Sequence, residues 1–292
     1  MMFPVAGVKV SVVIPPLFAF VLSFFTSMGG VSGAVLILPF QVSILGYTLP
    51  SVNSTNLLYN IIGIPGGMLK YIRDRKMVWP LAWVITIGTI PGVFIGYYLR
   101  VKYMSDAGTF KLFIGIVLAY VGIRLLTGAL TSAHNTSGGA KAGAFIVTNS
   151  RFSLKNVEYE FVGEKVSFST PGMFTLAFIV GIIGGAYGIG GGAVIAPFCV
   201  TMFKLPVYTV SGPALMGTFI TSVFGILFYS LVPVSGVTAG PDWLLGFLFG
   251  IGGFAGMYLG AKTQKHMPEK WIKFILSIIF IFIALQYIYK FF

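Results

Sequence analysis

Apolar residues fall along this chain in ten blocks. They run at about 10–28, 34–46, 51–68, 78–99 and 110–130, and then, after a polar interval, at 173–187, 193–203, 207–232, 243–259 and 271–289. A helix needs roughly 20 apolar residues to cross the hydrocarbon core of a bilayer. Several blocks reach that length, whereas 34–46 and 193–203 are short and each follows a cluster of glycines. Each half therefore reads as a glycine-broken helical hairpin followed by three full crossings, which predicts an all-α integral membrane protein. The polar interval, 131–170, opens with the linker-like text S-A-H-N-T-S-G-G-A-K. From Arg151 to Ser169 it changes to alternation with Gly163 at the turn, the pattern of a small β-hairpin or miniature β-domain. Three units follow: a first transmembrane repeat at 1–131, a linker with the β-hairpin at 132–170, and a second repeat at 171–292.

The two glycine clusters are one motif used twice. Residues 30–40 read G-V-S-G-A-V-L-I-L-P-F and residues 188–198 read G-I-G-G-G-A-V-I-A-P-F, 158 positions later. Irregular backbone at membrane depth is tolerated where it faces protein or a polar cavity. Broken helices in corresponding places of two halves are the mark of a carrier built from repeats, with its binding site where the breaks meet.

Charge sharpens the topology. Only 9% of residues are charged and 57% are hydrophobic, with a mean hydropathy of +0.93, so a soluble globule is excluded. The net charge of +12 resides in short loops rather than in a basic stripe with interleaved aromatics, which argues against nucleic acid. The loop with Lys70, Arg73, Arg75 and Lys76 is strongly basic, whereas its repeat counterpart, 233–241, has no charge ahead of Asp242. The halves are then expected to be inverted. Placing Lys70 and Lys76 in the cytoplasm puts thirteen basic residues inside and five outside, namely Lys9, Arg100, Lys102, Lys111 and Lys290. Both termini then lie outside, in a multi-pass protein of the cell (plasma or inner) membrane. The segment from Val10 runs too long for a cleavable signal peptide. The single cysteine, Cys199, rules out an internal disulfide and a cysteine-built metal site; no metal or other cofactor is expected.

At these motifs the chain resembles the TauE/SafE sulfite-exporter family. The resemblance rests on the paired breaks ending in Pro39-Phe40 and Pro197-Phe198, on Leu49-Pro50 and Leu205-Pro206, on I-G-I-P-G-G-M-L-K-Y-I-R-D at 62–74 and on G-T-I-P-G-V-F-I-G at 88–96. It implies a permease for sulfite or small organosulfonates, commonly an exporter. Its partners are then a small sulfur oxyanion and the lipid bilayer; the oligomeric state is open. Ser32 and Ala34 stand where the second repeat has Gly190 and Gly192, so the two breaks need not contribute equally.

An oxyanion at membrane depth must exchange water for donors already in place. Freed amides and the positive end of a helix starting after Gly33 or Gly192 supply them. The candidate site is therefore Gly30, Ser32 and Gly33 with Gly188, Gly190, Gly191 and Gly192. Small residues at this spacing also let helices pack closely, which is the plainer explanation. Downstream, Asn53, Asn56 and Asn60 share one helical face with Tyr59 nearby, and Ser211, Thr218 and Thr221 or Ser222 form a milder counterpart. Hydroxyls in apolar helices often bond their own backbone instead. Arg124 is read as snorkelling and Asp242 as a residue of the outer boundary. A passive anion channel could use the same amides. The string Gly30-Val31-Ser32-Gly33 also matches that of rhomboid-like intramembrane serine proteases, but His134 and His266 fall in loops and the repeat replaces Ser32 by Gly190. The chain is thus expected not to be an enzyme. If the Gly191 amide faces an anion, Gly191→Val should leave a folded but inactive protein.

The charge count requires positions 163 and 204 to be cytoplasmic and positions 9, 106 and 290 external. Single cysteines introduced there in a Cys199→Ala background should label from outside only at the latter three; strong external labelling at 163 would overturn the orientation.

Overall fold

A computed structural model describes residues 1–28, 31–131, 146–234, 239–264 and 269–291. Among these, ten helices follow the apolar blocks. The first half holds α1 (Ile14–Met28), α2 (Ala34–Ser43), α3 (Ser51–Arg73), α4 (Trp79–Tyr103) and α5 (Ala107–Thr131). The second holds α6 (Thr170–Tyr187), α7 (Ile195–Met202), α8 (Val207–Leu231), α9 (Trp243–Thr263) and α10 (Glu269–Tyr289). Five of them, α4, α5, α6, α8 and α9, are long and apolar enough to cross a membrane. α3 matches them in length at 23 residues but not in apolarity, because its polar face points inward.

Both breaks reverse the chain. α1 ends at Met28, and Gly33 lies against Ser23, where an added Cβ would lie 2.7 Å from Ser23 Oγ. α6 ends on Gly188, whose φ of 77° is left-handed and whose amide closes on Gly184 O. Gly190 repeats that conformation at φ 79°. Side chains are strained in this region, so glycine is required at both points.

The halves interlock rather than sit side by side. α1 and α3 of the first half pack on α9, and α6 and α8 of the second pack on α4; α3 meets α8 and α5 meets α10. Exchanging the halves leaves this set of contacts unchanged. Equivalent helices run antiparallel: Leu57 meets Gly225, Asn60 meets Ser222, Leu215 meets Gly67 and Tyr71 meets Gly212 across α3 and α8. Across α5 and α10, Gly115 meets Tyr287 and Gly122 meets Ile281. Glycines make the tightest seams. Those at 88, 92 and 96 abut the carbonyls of Phe174, Phe178 and Ile182, and those at 252, 256 and 260 abut the carbonyls of Pro16, Phe20 and Phe24. Lipid tails are as apolar as leucine, so this close approach, and not burial from water, holds neighbouring helices together.

The bundle has two distinct ends. At one lies an antiparallel sheet of β3 (Val147–Phe152), β4 (Asn156–Phe161) and β5 (Glu164–Ser169), in that order; β1 and β2 belong to the other end. The expected hairpin is its β4–β5 half. The two-residue turn, Val162 at φ 55° and Gly163 at φ 78°, has the paired positive φ of a type I′ loop. β3 was not expected, because V-T-N-S-R-F is exposed at nearly every position and carries no buried phase to read. The sheet docks on the helices through Val147 N to Arg75 O at 3.0 Å, Tyr159 to Thr209 at 2.8 Å and an edge-on contact of Phe168 with Phe203. Burial pushes the Tyr159 phenol up to about 12, so that bond keeps its proton throughout the neutral range. At the opposite end β1 (Met2–Phe3) pairs with β2 (Val8–Lys9). Asp242, expected at a boundary, stands at the start of α9 and is buried there: it caps α9 through Leu245 N at 3.1 Å and accepts from Ala6 N at 3.2 Å. Lys204 and Gly163 therefore share the sheet end with Lys70 and Lys76, and Lys9, Asp106 and Lys290 share the other.

Because a Cβ on Gly252 would overlap the Pro16 carbonyl, Gly252→Ala should destabilise by about 1–3 kcal/mol, the usual cost of overpacking. Gly240, with Ser230 Oγ 3.7 Å from its added Cβ, should accept alanine with little change. Thermal unfolding in detergent compares the two.

Candidate functional site

The breaks converge on the middle of α3 and α8. A break frees carbonyls that no helix satisfies, and an orphan carbonyl at membrane depth costs several kcal/mol. The three asparagines of α3 answer that demand. Each is fully buried, and each amide donates into the glycine loop of the other half: Asn53 to Ala186 O at 2.9 Å, Asn56 to Gly188 O at 2.9 Å and Asn60 to Ile189 O at 2.9 Å. Asn56 also donates to Ala34 O at 3.0 Å, so one amide joins both breaks. None of the three faces lipid.

Their oxygens are engaged as well. Ser32 Oγ donates to Asn60 Oδ1 at 2.5 Å and accepts from Ala34 N at 3.2 Å. This places Ser32 in the network as a link between the first break and α3, the role Gly190 cannot copy. Gln41 donates to Asn56 Oδ1 at 3.3 Å, and its own buried Oε1 has no partner among the described residues. Tyr59 meets Ser23 at 2.7 Å beside Gly33.

On α8 the hydroxyls divide. Ser211 bonds Val207 O and Thr218 bonds Ala214 O, each within its own helix, so neither reaches a break through its hydroxyl. Thr221 and Ser222 do: Thr221 Oγ1 accepts from Gly191 N at 3.0 Å and Ser222 Oγ from Asn60 Nδ2 at 3.1 Å. The buried amides of Gly190 and Gly192 have no acceptor among the described residues.

The glycines also pack, and at Gly191 packing decides. Its added Cβ would fall on Thr89, 2.8 Å from Cγ2, so Gly191→Val cannot leave the fold intact; that expectation is corrected. Gly192 abuts Thr218, and a Cβ added at Gly188 would fall 2.6 Å from Asn53 Cα. Gly30, His134 and His266 lie outside the described residues. Arg124, far from the breaks, donates to Tyr120 at 3.2 Å.

Matched against families, residues 16–287 fit the one described as sulfite exporter TauE/SafE. The chain belongs to that family. This TauE/SafE chain is 24% identical over 273 residues to "Probable membrane transporter protein YunE" of Bacillus subtilis, covering 90% of the chain and 92% of the relative. It is 22% identical to a "Probable membrane transporter protein" of Xylella fastidiosa, covering 90% and 89%. No solved structure matches it. It is a multi-pass membrane transporter protein, the class its apolar helices require.

Sequence reasoning missed one charged residue that bonds to the asparagine network. Arg100 was expected in an external loop, but α4 continues past it to Tyr103 and the side chain is fully buried. Nε donates to Asn53 Oδ1 at 3.2 Å, Nη2 to Thr48 O at 3.1 Å and Nη1 to Met104 O, while the guanidinium stacks 3.6 Å from the Phe110 ring centre. Among the described residues no carboxylate lies within ion-pair distance of it.

Asn56→Leu removes the donor from two buried carbonyls at about 1–3 kcal/mol each. It should lower the unfolding temperature clearly more than Ser211→Ala, whose hydroxyl only returns to its own helix. Equal effects would mean that the breaks are not held by Asn56.

Proposed function

We propose that this transporter carries sulfite or a small organosulfonate across the cell membrane, most often outward, by alternating access around the paired breaks. The observation that carries the reading is the pair of amides at the buried Gly190 and Gly192, which meet no acceptor among the described residues and stand beside the polar faces of α3 and α8. Preorganised N–H donors out of water bind oxyanions without the cost of a full buried charge, and sulfite and sulfonates present three acceptor oxygens in a compact head.

The antiparallel α3–α8 crossing supports an inverted-repeat mechanism. Each half presents one break, one polar helix and one glycine seam, so the two halves can exchange conformations and open the site to one end and then the other. Both termini on the outer side and the sheet in the cytoplasm complete this arrangement. Export of an anion from a cell negative inside is favoured by about 2.3 kcal/mol per charge per 100 mV, so outward movement needs no intramembrane proton carrier.

The test is flux in proteoliposomes with sulfite, taurine, sulfoacetate and carboxylate analogues. A carrier for sulfur oxyanions should move at least one of the first three in preference to the carboxylates, and unlabelled substrate on the far side should accelerate it. Very high flux without such acceleration would assign the same amides to a channel. Absence of flux for all three sulfur oxyanions would end the proposal.

A further inference from the structure

The 158-residue offset between the breaks extends to their surroundings. Tyr71 of α3 and Tyr229 of α8 stand 158 apart; their hydroxyls donate to Ser27 O at 3.3 Å and Gly185 O at 3.1 Å, carbonyls that are again 158 apart. Beside Tyr71 lies Ser211, and beside Tyr229 lies Asn53, the same offset once more. The glycine seams fix the equivalence of α4 and α9. The carbonyls met by the glycines at 88, 92 and 96 lie 158 beyond those met by the glycines at 252, 256 and 260, so a residue of α4 corresponds to the residue 164 later in α9. Arg100 therefore corresponds to Gln264.

Gln264 occupies its place as this equivalence requires. It is buried, accepts from Tyr71 OH at 3.0 Å and donates to Met28 O at 2.8 Å. Arg100 closes the opposite end beside Tyr229, bonded to Asn53, whose amide holds Ala186 O; Met28 and Ala186 are also 158 apart. Two matching clusters thus flank the breaks, neutral at the sheet end and cationic at the end with β1 and β2.

We propose that Arg100 is the anion-attracting residue of the gate at the β1–β2 end, and that Gln264 leaves the gate at the sheet end neutral, so that the two faces of the carrier hold anion with unequal affinity. Burying an arginine is costly, and among the described residues Asp106 acts on Arg100 only from beyond ion-pair distance, so the guanidinium has no direct counter-charge; in a membrane protein such a residue points to a function. The guanidinium fork matches the oxygen pair of a sulfite or sulfonate. Its present acceptors, an amide oxygen and two carbonyls, are neutral and yield to an anion as the gate opens. A cap for the end of α4, which Met104 O suggests, needs only a donor; the anion site needs the charge.

This inference rests on the oxyanion reading and is tested separately from it. In proteoliposomes of known orientation, the half-saturating sulfite concentration is measured at each face for the native protein, Arg100→Gln, Arg100→Lys and Gln264→Arg. Arg100→Gln should raise it at least tenfold at the β1–β2 face and leave the sheet face within twofold, while Arg100→Lys, which keeps the charge and loses the fork, should fall between Arg100→Gln and the native protein. Gln264→Arg should lower it severalfold at the sheet face, and decides the matter in a native Arg100 background if Arg100→Gln does not fold. Native protein that moves no sulfur oxyanion would sink the transport reading. Native sulfite flux with face affinities unmoved in Arg100→Gln, or in Gln264→Arg where the former does not fold, would overturn the charge asymmetry alone.

Discussion

Orphan backbone at membrane depth is the constraint from which the rest of this structure follows. Each break lets the chain reverse inside the bilayer, and each leaves carbonyls that water cannot reach. Asn56 holds Ala34 O and Gly188 O with one amide, and Asn53 and Asn60 hold the neighbouring carbonyls of the second break. The bonds to Ala186 O, Gly188 O and Ile189 O cross from one half to the other, so the second break is held in part by the first half. The interlocked packing, α1 and α3 on α9 and α6 and α8 on α4, is the arrangement that brings donors and orphans together.

This changes the meaning of the asparagine face. In a lipid-facing or solvent-filled setting the three amides would be free to contact a ligand. Here each of the three amides donates to the protein, Asn53 to one carbonyl and Asn56 and Asn60 to two partners each. The asparagine side chains thus hold the loop. Gly191 is held in it as well, its amide on Thr221 and Thr89 filling the space a side chain would need.

Much of this was legible in the sequence. The ten apolar blocks became the ten helices because membrane spans write their length directly into composition, and the break motif declared its own duplication. The asparagine face was readable because amides in an apolar span need an interior. Arg100 was not, since a basic residue at the end of an apolar block followed by Lys102 reads as a loop; only the length of α4 and the ring of Phe110 show it buried. Tyr71 and Tyr229 carried a signal that was available but unused, for the same offset of 158 that pairs the breaks pairs these residues. β3 left no trace because both its faces meet solvent.

One junction has a mechanical consequence. β5 passes into α6 without a linker: Ser169 ends the strand and caps the helix by accepting from Gly172 N at 3.3 Å. The sheet is also riveted to the α3–α4 turn at Arg75 and to α8 at Thr209. It therefore acts as a stiff crank joining one helix that leads directly into a break to two elements of the opposing framework. Torque on the crank would be delivered to Gly188 with no slack along the way, so whatever grips the sheet from outside the bilayer grips the break.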